Sequence, residues 1–111
     1  MRRVAWVLVL ILLGFSFSAR AQNDRVTQVM AQLSLKQKVG QMFLVGLYGD
    51  TLNAPSRDFL REWQPGGAVL FVSNIGTPAS VTALTNSWQQ TLIDAGGVPL
   101  FIATDQEGGQ I

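Results

Sequence analysis

Three short apolar runs separated by amphipathic stretches set the plan of this chain. Gln41–Leu47 (QMFLVGL), Ala68–Val72 (AVLFV) and Leu100–Ala103 are apolar at nearly every position. Strands without polar alternation suit a parallel sheet covered on both faces. Between the first two runs, Ser56–Trp63 predicts a helix with Phe59, Leu60 and Trp63 on one side, ended by Gln64-Pro65-Gly66-Gly67. Between the second and third, Thr77 caps and Pro78 opens a longer helix whose apolar face is Val81, Leu84, Trp88 and Leu92. Gly96-Gly97 ends that helix and Pro99 prevents its resumption. Upstream, Asn23 or Asp24 can cap a short helix carrying Val26, Val29, Met30 and Leu33 on one face. Ser34 and Gln37 then form an S-x-x-Q capping box that starts a second short helix through Val39.

The order is thus β, α, β, α, β, with strands about 30 residues apart, as repeated βαβ units require. Two architectures fit this α/β pattern, a (β/α)8 barrel and an open doubly wound sheet. The two helices ahead of the first strand favour a barrel with its bottom plugged. A barrel needs roughly 200 residues or more, so about three βα units in 111 residues predict a portion of a larger protein. Trp63 and Trp88, on helical apolar faces, are expected in the core.

The first 21 residues read differently. Arg2-Arg3 is a short basic start, Val4–Phe15 is a 12-residue apolar run, and Ala19-Arg20-Ala21 fits small-residue cleavage. That is the anatomy of a secretory signal peptide over residues 1–21. The apolar run is short of the ~20 residues a spanning helix needs, so no stable membrane anchor is expected after cleavage. Removing the leader changes the charge balance: residues 22–111 hold five Lys/Arg against seven Asp/Glu, net −2. No basic patch remains to attract nucleic acid. The chain has no cysteine and no histidine, so disulfides are absent and the usual metal-ligand clusters are not expected. No cofactor is implied.

In both architectures ligands bind at the C-terminal ends of the strands. Three loops fall there: Gly46–Leu52, Ser73–Gly76 and Thr104–Gln110. The third is richest in chemistry. Asp105 follows its strand immediately, and an ionised carboxylate accepts several hydrogen bonds from neighbouring hydroxyls, the pattern a sugar presents. Gly108-Gly109 permits a sharp turn. Asp at a strand end also serves simply as a turn former. Glu107, two residues on, reads better as structural pairing than as catalysis, and the i, i+2 relation does not make it the partner of Asp105 in a glycosidase pair. Tyr48, Asp50 and Asn74 could reach a ligand, although loop formation explains them equally well.

Three segments resemble a known family. Leu33-Ser34-Leu35-Lys36-Gln37-Lys38-Val39-Gly40-Gln41-Met42-Phe43, Pro65-Gly66-Gly67-Ala68-Val69-Leu70-Phe71 and Phe101-Ile102-Ala103-Thr104-Asp105-Gln106-Glu107-Gly108-Gly109 are similar to the start of a glycoside hydrolase family 3 catalytic domain. The Asp-Gln-Glu-Gly-Gly stretch favours the β-N-acetylhexosaminidase branch over the β-glucosidase one. The resemblance implies the N-terminal portion of a TIM-type (β/α)8 barrel over residues 22–111, a retaining exo-acting mechanism and a carbohydrate substrate. It also implies that Asp105 hydrogen-bonds sugar hydroxyls. The family's aspartate nucleophile and histidine acid/base have no counterpart in this chain, so no catalytic residue is assigned and the chain alone is expected to be inactive. Gln110 stands where the family often has arginine. Members of this branch work in the cytoplasm on cell-wall fragments; the leader here points to secretion and to chitin-like or cell-wall glycan. The alternatives are a catalytically inactive carbohydrate-binding barrel and a β-glucosidase-type member.

Overall fold

The computed structural model describes residues 24–109. The expected leader and Gln110 lie outside the described residues. Residues 24–32 form a helix, α1, in a unit distinct from the one that begins at Ser34. Its regularly spaced Val26, Val29 and Met30 are all exposed.

The second unit is a three-stranded parallel sheet with helical connections. Strands β1 (Leu44–Gly46), β2 (Gly67–Leu70) and β3 (Phe101–Thr104) neighbour one another in chain order. Helix α2 (Leu35–Gly40) precedes β1, α3 (Ala54–Trp63) links β1 to β2, and α4 (Pro78–Asp94) links β2 to β3. The register aligns Val45 with Ala68 and Ala68 with Ile102. Helices α3 and α4 contact each other, and Leu60, Leu84, Trp88 and Leu92 form one buried cluster with Leu47, Ala68 and Leu100. Val45 and Leu70 pack against that cluster, so the row containing Ala68 faces the helices. Adjacent rows point the other way. They hold Leu44, Gly67 and Phe101 at one level and Gly46, Val69 and Ala103 at the next. Leu44 and Phe101 are exposed there. The expected burial of both sheet faces is therefore met on the helix side alone among the described residues.

Strands β1 and β2 are shorter than the apolar runs that predict them and β3 is shifted by one residue, and side-chain or turn hydrogen bonds set the ends. The run from Gln41 becomes a strand only at Leu44, because Met42 and Phe43 donate to the carbonyls of Val39 and Gly40 and extend the turn of α2. The second run stops at Leu70: the Phe71 amide donates to Asn74 Oδ1 (2.9 Å) and a 3-10 turn, Val72–Asn74, takes over. Leu100 stays out of β3 because Gln89 holds both its amide (2.8 Å) and its carbonyl (2.9 Å).

Helix starts follow capping chemistry. Ser34 and Gln37 form the reciprocal box, and Thr77 accepts from the Ser80 amide with Pro78 following. Helix α3 begins two residues earlier than expected because Asn53 Oδ1 accepts from the Ser56 amide at 2.9 Å. At the end of α4 the Gly97 amide donates to Leu92 (2.8 Å) and Gly96 sits at φ +71°, a left-handed stop suited to glycine.

The N-terminal end of the sheet is closed by glutamines. Gln64 ends α3 in the left-handed region (φ 46°) and is buried. Its Oε1 accepts from Gln37 Nε2 (2.8 Å) and its Nε2 donates to the Ala95 carbonyl (3.1 Å). Gln41 Nε2 donates to the Gln64 carbonyl (2.9 Å). The backbone approach here is so close that a Cβ on Gly40 would strike the Trp63 carbonyl, and one on Gly66 the Gln41 carbonyl.

Of the two tryptophans expected in the core, Trp88 is there, 1% exposed. Trp63 is 48% exposed. It sits on the flank of α3 with Lys36 Nζ 4.4 Å from its ring centroid, and Lys36 also pairs with Glu62 at 3.1 Å.

Candidate functional site

The three strands run parallel, so their C-terminal ends lie on one side and bring three loops together. Residues 47–53 follow β1, 71–77 follow β2, and 105–109 follow β3. Asp105 is the first residue after β3 and is exposed. It enters no ion pair with a described residue. Glu107 is exposed as well and makes no ion pair with a described residue, so the structural pairing expected of it is not seen there. Gly108 and Gly109 have φ of +83° and +67°, and nothing lies within 4 Å of a Cβ built on either. The glycine pair is thus required by backbone conformation and not by space. An exposed carboxylate on a turn of this kind can accept hydrogen bonds from a polyol without first giving up a partner in the protein.

The first two loops are bound to each other. Asn74, 1% exposed, donates from Nδ2 to the carbonyls of Leu47 and Gly49, both at 2.7 Å. Its Oδ1 is occupied by the Phe71 amide. Asn74 therefore does not reach a ligand; it builds the loops. Asn53 Nδ2 donates to the intervening carbonyl, Tyr48 O, at 3.0 Å. Tyr48 and Asp50 are exposed on this braced segment. The bracing has a weak sequence signal, an asparagine in a short loop after each of two apolar strands, but the pattern does not say which carbonyls each amide meets.

Two cavities flank β1. A recess of about 210 Å³ lies at its C-terminal end, lined by Gly46, Leu47, Tyr48, Pro55, Ser56 and Phe59. An apolar groove of about 590 Å³ runs between α2, β1 and α3, with Val39, Phe43, Val45, Phe59 and Trp63 in its walls. Of its lining residues only Lys36 carries a polar side chain, so polar groups do not converge there to orient a ligand. Among the described residues no cluster of His, Cys, Asp and Glu could hold a metal ion.

No protein-family model matches the chain. Curated relatives and solved structures do. Residues of this chain are 37% identical over 70 positions to a β-hexosaminidase of Xylella fastidiosa (strain M12), covering 63% of this chain and 20% of that protein. A β-hexosaminidase A of Pseudoalteromonas piscicida is 37% identical over 62 residues, 55% of this chain and 10% of its own length. The glycoside hydrolase family 3 β-N-acetylglucosaminidase of Paenibacillus sp. str. FPU-7 superposes with a TM-score of 0.67 at 39% identity, covering 71% of this chain and 15% of that one. The β-N-acetylhexosaminidase of Beutenbergia cavernae gives a TM-score of 0.61 at 35% identity, over 72% of this chain and 24% of its own. The chain spans about one fifth of the length of the first curated relatives it matches. In sequence and in fold alike, the chain is similar to part of the N-terminal domain of glycoside hydrolase family 3 proteins of the β-hexosaminidase kind.

Proposed function

We propose that this chain supplies three staves of a TIM-type (β/α)8 barrel in a secreted, retaining, exo-acting β-N-acetylhexosaminidase, and that Asp105 holds hydroxyls of the terminal sugar. The single observation that carries the reading is the seat of Asp105, exposed directly after β3 on the ligand side of a sheet similar to family 3 structures. The barrel rests on a second feature, the distribution of bulk on the sheet face away from the helices. At one level β1 and β3 contribute Leu44 and Phe101 while β2 contributes Gly67; at the next level β2 contributes Val69 while β1 and β3 contribute Gly46 and Ala103. Barrel interiors are filled in layers to which alternate strands contribute, and this exchange of large and small residues has that form. Their exposure in this chain leaves an apolar surface for the remaining staves to cover.

Asp105 acts in this reading by binding and orienting. A carboxylate accepting from adjacent hydroxyls fixes the sugar ring against translation, and each charge-assisted bond contributes about 1.5–3 kcal/mol. The carboxylate nucleophile and the acid/base of the two-step retaining reaction come from barrel units other than these three. The substrate is a chitin-like or cell-wall glycan ending in β-linked N-acetylhexosamine.

In the full-length protein, Asp105→Ala should lower kcat/KM for p-nitrophenyl N-acetyl-β-D-glucosaminide by roughly 100-fold or more, the loss expected from two such bonds. Activity equal to wild type would refute the assignment. Export is tested separately: the N-terminus of the secreted protein should begin at Gln22, and retention of residues 1–21 would count against the leader.

A further inference from the structure

The buried amide of Asn74 and the exposed amide of Asn53 bind three consecutive carbonyls, Leu47, Gly49 and, between them, Tyr48. Three successive carbonyls held by side chains from outside the segment leave that backbone little freedom, and Gly49 at φ +103° completes the bend. The clamp on Leu47 serves the core, but those on Tyr48 and Gly49 hold residues outside it. Leu47 is the only one of the three residues inside it, and Tyr48 is left 82% exposed at the ligand end of β1. A fixed backbone under an exposed ring is what a preformed binding wall requires, since ordering costs are met before the ligand arrives. Strands β1 and β3 are two spacings apart, roughly 10 Å. Tyr48 and Asp105 thus follow the two strands that flank β2, at the same end of the sheet, and Tyr48 also lines the recess beside α3.

We propose that Asn74 and Asn53 are positioning residues, a pair of amide clamps that set the loop after β1 so that Tyr48 forms the wall of the carbohydrate site opposite Asp105. The proposal rests on the carbohydrate-binding reading of Asp105. Tyr48 supplies an apolar face to the sugar and a hydroxyl at its rim; the clamps touch only backbone and act through it.

The two asparagines allow a test that separates positioning from folding. Asn74→Ala leaves one buried and one part-buried carbonyl without the Asn74 donor and is itself at risk of not folding. Asn53→Asp is safer: aspartate keeps the oxygen that caps α3 through the Ser56 amide, but has no N–H for the Tyr48 carbonyl. In the full-length protein with p-nitrophenyl N-acetyl-β-D-glucosaminide, Tyr48→Ala should raise KM about tenfold with kcat within about twofold, the signature of lost binding in ground and transition states alike. Asn53→Asp should raise KM about threefold at an unchanged unfolding midpoint. Unchanged KM in both variants, with Asp105→Ala inactive, overturns the clamp and leaves the Asp105 reading standing. A lowered midpoint with KM intact in Asn53→Asp also overturns it, since the amide then only braces the loop. Full activity of Asp105→Ala removes both readings together.

Discussion

Lys36 and Trp63 show how much a single side chain's neighbourhood decides. Both tryptophans lie on helical apolar faces, yet Trp88 fills the centre of the cluster between α4 and the sheet while Trp63 remains at the rim under a lysine. Their energetic weights differ accordingly. Trp88→Ala opens a cavity among Leu60, Leu84 and Leu92 and should cost about 3–5 kcal/mol in denaturant unfolding. Trp63→Ala forfeits a half-exposed ring and a cation–π contact worth about 0.5–1 kcal/mol at such a site. Equal losses in the two variants would contradict the division into core and rim. The Lys36–Glu62 pair adds little, since both side chains are about half in water.

At the scale of elements, amide side chains do the joining at both ends of the sheet. Glutamines 37, 41 and 64 tie the entrances of the strands to α2, α3 and α4, and asparagines 53 and 74 tie the exits of β1 and β2. Gln64→Ala removes a buried acceptor and a buried donor at once. It should destabilise by about 1–3 kcal/mol, read as a shift of the urea midpoint without a change in slope; no shift would show the network to be incidental. These contacts also explain which parts of the fold were legible in the sequence. Element order, the caps at Ser34 and Thr77 and the stop at Gly96-Gly97 depend on neighbours within a few residues, so local pattern reveals them. The strand ends do not. Phe71 is as apolar as Leu70, and it leaves the sheet because an asparagine three residues on takes its amide. Gln64 shows the same limit, since its left-handed backbone and its partners 27 and 31 residues away are set by helix packing. Of the candidate site, Asp105 was legible as a carboxylate at the end of an apolar strand. The bracing of the opposite loop was not, because a chain pattern does not show which carbonyls lie within reach of Asn74.

At the scale of the whole molecule, the sheet has a finished face and an open one. Helices α3 and α4 close the first, whereas Leu44 and Phe101 stand exposed on the second, and among the described residues β1 and β3 each have one unpaired edge. Exposed apolar faces and edges of this kind call for cover, and in the barrel proposed above further staves would supply it on both counts. The same closure would seat other loops around the ends of β1, β2 and β3, turning one exposed carboxylate into a wall of an enclosed pocket. The most direct measurement is a crystal structure of the full-length protein with N-acetylglucosamine bound. The expected result is an Asp105 carboxylate oxygen within about 2.5–3.0 Å of a sugar hydroxyl, at the C-terminal mouth of a closed barrel. A sugar bound elsewhere, with Asp105 left facing solvent, would contradict it.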